Sequence, residues 1–139
     1  MRSARHRARA AAMQGIYEWL VAAGDPVLIG REIEKGSHWE KLDQEYFKLL
    51  WQGVFEHAAA LQEAVQTHLD RKWEEVSPVE RSILLLGAFE LLHRPDIPYR
   101  VAINEGVELA KTFGGTDGHK FINGVLDQLA LVARAAERA

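Results

Sequence analysis

A chain of 139 residues with 47% hydrophobic and 27% charged side chains has the make-up of one globular domain, able to bury roughly two thirds of its unfolded surface. It has no cysteine, which excludes a disulfide framework, a thiolate zinc site and a cysteine nucleophile; no window approaches the ~20 consecutive apolar residues of a membrane span, and without an apolar signal stretch behind the basic start a cytoplasmic protein is expected. The net charge of -3 hides a segregation, because residues 1–17 carry Arg2, Arg5, Arg7 and Arg9 with no acid, leaving 13 basic against 20 acidic residues in the remainder.

Helical periods run through the whole chain and strand alternation is absent, so the expected class is all-α. A first helix, about 3–22, carries Ala8, Ala12, Ile16, Trp19 and Ala23 at helical spacing, with Gly24 placed to end it. Asp25-Pro26 reads as a cap followed by proline in the first turn of a short helix, about 26–35, which Gly36 closes. Asp43 is placed to cap a long apolar stretch to Leu69, read as two helices with a break near Gly53 to Ala58. Ser77-Pro78-Val79-Glu80 combines a capping box with proline in the first turn and starts a fifth helix. Its body, Ile83 to Leu92, is apolar around most of its circumference and is expected to be the central, most buried helix. Pro95 stops it, Pro98 opens a sixth helix to about Phe113, and Thr116 or Asp117 starts a last one to about Ala136.

Few positions could carry catalysis. Glu90 and His93 form one Glu-x-x-His pair, and a di-iron bundle needs two with further inward glutamates. The expected arrangement is a carboxylate paired with an arginine, plus a histidine near a helix end. Glu105 and Glu108 share a helix face, as solvated acids also do. His57 and His68 stand three turns apart on an unbroken helix, too far to share a metal. No nucleophile motif or phosphate loop accompanies them, so no catalytic residue, metal or cofactor is expected.

The arginine arm is more informative. Arg2, Arg5 and Arg9 fall within about 60° of one another on a helical wheel. On another side Arg7, Gln14 and Tyr17 lie within about a quarter turn, giving a cation, an amide and a ring suited to single-stranded RNA. Cations at a helix N-terminus oppose the macrodipole, at ~0.3–1 kcal/mol each when exposed. Such an arm suits phosphate better than it suits stability, although a solvated helix start gives the same pattern.

The segments ARHRARAAAMQGIYEW, YFKLLWQGV, SPVERSILLLGAFEL, DIPYRVAINEGVELAKTFGG and HKFINGVLD resemble, in order and over nearly the whole chain, the NusB family of bacterial transcription antitermination factors. The stretch from Ile97 to Asp127 is the most specific. The resemblance implies two helical bundles packed together and a role in recognition, not catalysis. It implies binding of the boxA element of nascent ribosomal RNA together with NusE, a small-subunit ribosomal protein, to help RNA polymerase resist termination. It aligns Arg5, Arg7 and Arg9 with the family's arginine-rich start and Tyr17 and Glu80 with NusE-facing positions, while Asp117 and Lys120 fall in the region beside the RNA.

Leu85 departs from the arginine that many members carry in the fifth-helix motif, removing a possible RNA or partner contact. Two rival roles remain open. The family's domain also begins an RNA cytosine methyltransferase, for which the 139 residues are expected to be too short, and a homodimer could mask the arginine helix, so a monomer or weak homodimer is expected.

Overall fold

The protein is described from a computed structural model covering residues 2–138. Among the described residues every regular element is helical: α1 (Ala4–Ala22), α2 (Pro26–Lys35), α3 (Gln44–Glu56), α4 (Ala58–Gln66), α5 (Pro78–His93), α6 (Tyr99–Phe113), α7 (Gly118–Ala133) and the short α8 (Ala135–Arg138). Single 3-10 turns, Trp39–Lys41 and Trp73–Glu75, lie in the connections before α3 and α5.

Side-chain caps fix the starts of α1, α2, α3 and α5. The Ser3 hydroxyl accepts from the His6 amide at 3.0 Å, Asp25 from Val27 at 2.9 Å and Asp43 from Tyr46 at 3.0 Å. Ser77 accepts from the Glu80 amide at 3.2 Å while its hydroxyl donates to the Glu80 carboxylate at 2.9 Å. Each satisfies a donor that the first turn of a helix leaves without an intrahelical partner.

α5 is the axis of the molecule. Every residue from Ser82 to Leu91 is buried, and α5 packs against α1, α3, α4, α6 and α7. It is thus shared between an N-terminal bundle of α1, α2 and α3 and a C-terminal bundle of α4, α6 and α7. Its buried Ile83, Leu84, Leu85, Leu86 and Leu91 are each worth roughly 1.5–3 kcal/mol of hydrophobic transfer. Leu85 belongs to this core, at 2% exposure, so in this chain the position serves packing. Close approach is bought with glycine at two crossings. A Cβ on Gly15 would lie 2.6 Å from the Trp51 ring, and one on Gly53 2.2 Å from the Phe89 ring.

The chain departs from its expected punctuation in two places. α1 ends on Ala23, not Gly24: Ala23 takes the left-handed conformation (φ 53°) and its amide donates to the Trp19 carbonyl at 2.8 Å. The last helix is interrupted at Arg134. That residue is buried, and its guanidinium donates to the carbonyls of Leu91 (2.8 Å), Glu90 (3.1 Å) and Arg94 (2.8 Å). The Leu91 oxygen lies in the last turn of α5, where no further turn follows to bond it, while those of Glu90 and Arg94 also accept from the amides of Arg94 and Ile97. Just beyond, Glu137 accepts from the Tyr99 amide at the start of α6 at 2.9 Å. The break at Arg134 therefore lets one short segment finish α5 and cap α6.

Candidate nucleic-acid interface

The arginine arm is divided by its own helix period. Arg9 occupies the same stripe as Ala12, Met13 and Ile16, and that stripe faces the core. The Arg9 side chain is 3% exposed and grips the Glu90 carboxylate through Nε (3.0 and 3.1 Å) and Nη2 (3.0 Å), while Nη1 reaches Glu105 at 3.4 Å. The Tyr46 hydroxyl donates to Glu90, and His6 Nδ1 bonds Glu105. Burial works to lower the Arg9 pKa, but the adjoining Glu90 carboxylate, Tyr46 and Glu105 together offset it, and the net shift is upward. Burial, then Glu90, pushes the Tyr46 phenol above its ordinary value and keeps it a donor. The expected exposed stripe of Arg2, Arg5 and Arg9 is corrected accordingly: Arg9 is turned inward, where it neutralises the acid that α5 carries into the core. Glu90 has the arginine partner expected for it, and His93 lies in the last turn of α5.

The other arginines remain outside. Arg2 pairs with Glu108 of α6 at 3.4 Å. Arg5 reaches Asp43 at 3.8 Å and lies over the Tyr46 ring, 4.3 Å from its centroid. Arg7 has no ion pair among the described residues and lines a groove with Gln14, His38 and Lys41 over a floor of Ala10, Ala11 and Leu42. Arg7 and Gln14 are thus brought together, whereas Tyr17, 40% exposed, is not part of the lining. His38 and Lys41 were not legible as site residues, because only the fold of the α2–α3 connection brings them to α1.

A second corner forms at the start of α7. Asp117 and Lys120 pair with each other at 3.4 Å, both largely exposed. A Cβ on Gly118 would lie 3.2 Å from Glu80 Oε2, so the first turn of α5 stands beside the first turn of α7. The Arg71 guanidinium covers the Phe121 ring at 4.5 Å. Glu80, Asp117 and Lys120 are therefore neighbours, joined by an aromatic and an arginine that spacing alone did not pick out. Tyr17, Arg5 and Arg7 lie on α1, and Arg2 just before its cap.

The remaining candidates separate. Glu105 and Glu108 both serve arm residues, His6 with Arg9 and Arg2 respectively. His57, at the single-residue break between α3 and α4, stacks on His93 with ring centroids 4.2 Å apart. Among the described residues no group of three or more metal-ligating side chains converges, and no helix is long and apolar enough to cross a membrane.

Comparison with known proteins agrees with this architecture. The NusB family model matches residues 6–131. A transcription antitermination protein NusB of Nitrosomonas europaea is 54% identical over 133 residues, covering 96% of this chain and 80% of the relative. Its counterpart in Thiobacillus denitrificans is 51% identical over 137 residues, covering 99% and 94%. Among solved structures, T. maritima NusB superposes with a TM-score of 0.83 at 29% identity over 99% of both chains. A chain from the crystal structure of antitermination factors NusB and NusE in complex with dsRNA gives a TM-score of 0.79 at 26% identity, covering 91% of this chain and 96% of that one. With nine tenths of its length matched by the family model and half its residues shared with such relatives, the chain belongs to the NusB family.

Proposed function

We propose that this protein is a non-catalytic transcription antitermination factor. It binds the boxA element of nascent ribosomal RNA together with NusE in the cytoplasm, so that RNA polymerase resists termination. The observation that carries the reading is the outward set of Arg2, just before α1, with Arg5 and Arg7 in its first turns, which concentrates cationic donors at one end of an otherwise acidic protein. Clustered arginine recognises phosphate through planar, permanently charged donors. Membership of the NusB family and likeness to a chain of the NusB, NusE and dsRNA complex support the choice of ligand and partner.

In this reading Arg2, Arg5, Arg7 and Gln14 contact RNA from α1 and the residues just before it, and Asp117 and Lys120 line its path at the start of α7. Arg9 acts from within by holding α1 against α5. Tyr17 and Glu80 serve NusE: a half-exposed tyrosine suits an interface centre, and a carboxylate repels phosphate but attracts a basic protein. The test is titration of labelled boxA RNA and a scrambled RNA of equal length, each with and without NusE. The expected result is preferential binding of boxA that tightens when NusE is present. Equal binding of both RNAs, indifferent to NusE, would overturn the proposal.

A further inference from the structure

The groove beside Arg7 extends past α1. Its cavity of about 390 Å³ adjoins a second hollow of about 230 Å³ lined by Gly15, Glu18, Ile33 and Trp39, and the two share Ala11, Gln14, His38 and Leu42. Their electrostatics differ. The first holds two fixed cations, Arg7 and Lys41, and no carboxylate. The second holds one carboxylate, Glu18, an indole and an aliphatic wall, and no fixed cation. Gln14 and His38 stand at the junction. The Gln14 amide nitrogen is already committed to the Ala10 carbonyl at 3.1 Å, which leaves its oxygen as an acceptor. Neither Arg7 nor Lys41 has an ion pair among the described residues, so both keep all their charged donors available.

We infer that these paired hollows form a nucleotide subsite. A phosphate of single-stranded RNA sits between Arg7 and Lys41, and an adjacent unstacked base enters the hollow walled by Trp39 and Ile33. The inference rests on the RNA-binding reading above and adds the connection between α2 and α3 to it. Sign decides the polarity: the first hollow attracts phosphate, and Glu18 repels it from the second. Unstacked bases bind on aromatic surfaces and are recognised through their exposed edges. With two acceptors available, Glu18 and the Gln14 oxygen, the hollow favours a base carrying an exocyclic amine over uracil.

The experiment titrates a labelled single-stranded boxA RNA by fluorescence anisotropy, at several salt concentrations with NusE present. It compares the wild type with Arg7→Ala, Lys41→Ala, Glu18→Gln and Arg31→Ala. Arg31 supplies an exposed α2 cation in a different groove and controls for net charge. Circular dichroism melting verifies that each variant is folded. Lys41→Ala is expected to weaken binding roughly fivefold and lower the salt slope by about 0.7, as loss of one phosphate contact does for a single strand. Arg31→Ala is expected to leave both nearly unchanged, and Glu18→Gln to narrow the preference for amine-bearing bases over uracil in substituted RNAs. If Lys41→Ala binds no more weakly than Arg31→Ala while Arg7→Ala does lose affinity, this subsite is refuted and the RNA-binding reading survives. If the wild type binds no RNA at all, both fall.

Discussion

Arg9 provides the sharpest separation between an arginine that holds the fold and arginines that meet RNA. Replacing Arg9 with methionine removes the cation from a nearly solvent-free carboxylate, since Arg9 and Glu90 side chains are 3% and 2% exposed. The loss leaves Glu90 with only the Tyr46 hydroxyl and takes a second partner from Glu105, which keeps His6. Breaking a buried pair on one side costs roughly 3–5 kcal/mol. For a domain of this size that corresponds to a melting temperature lower by about 10–20 °C. The uncompensated charge is the cause, so the combined variant Arg9→Met, Glu90→Leu, Tyr46→Phe is expected to recover part of the loss despite carrying more substitutions. Urea unfolding followed by circular dichroism measures both. RNA titration of Arg9→Met well below its melting temperature completes the test, with an affinity close to wild type expected. A stability within about 0.5 kcal/mol of wild type, or an RNA affinity as low as that of Arg7→Ala, would refute the assignment of Arg9 to the interior.

Ala23→Gly is expected to raise stability by about 1 kcal/mol in urea unfolding, because glycine adopts the left-handed cap without the penalty alanine carries there. Arg134→Ala strips three carbonyls at the end of α5 of their charged donor and is expected to cost roughly 2–4 kcal/mol in the same assay, with Arg134→Lys unable to restore the set because it lacks the planar fork. The His93 pKa is lowered from its ordinary 6.5 by burial and by the neighbouring His57. The unfolded chain thus binds the proton at higher pH than the folded one. The contribution of this histidine to stability is full above pH 6.5, declines as the pH falls toward the depressed folded value, and levels off below it. Melting temperature against pH should show this acid decline, and His93→Gln should flatten it.

Much of the fold is legible because capping chemistry and hydrophobic pattern agree at several helix starts. Ser77 with Pro78, Asp25 with Pro26, and Asp43 mark starts that the structure keeps, and the nearly all-apolar Ile83–Leu92 segment could only be central. Two details of the helix ends were hidden, one of them because a tertiary partner decides it. Arg134 breaks the last helix where its guanidinium meets carbonyls of α5 and its connection to α6, and Ala23 takes a conformation that composition disfavours. In the arm, the helix was readable but its rotation was not. Arg9 shares a stripe with Ala12 and Ile16, yet its place within about 60° of Arg2 and Arg5 on the helical wheel suggests a common surface. The one available signal was Glu90: an acid within so apolar a helix requires a cation, and Arg9 is the arginine on the buried side of α1. His38, Lys41 and Arg71 come to their corners through the connections between helices, whose paths the period of a helix does not encode.

The central claim is that the outward arginines of α1 meet RNA phosphate, and the salt dependence of RNA affinity tests it most directly. Wild type and an Arg5→Ala, Arg7→Ala double variant are titrated with the same boxA RNA from low to physiological salt. Each phosphate contact contributes roughly 0.7 to the slope of log affinity against log salt for a single strand. The double variant is therefore expected to bind more weakly at every salt concentration, with a slope shallower by about 1.4. An unchanged affinity and slope in a folded double variant would contradict the account.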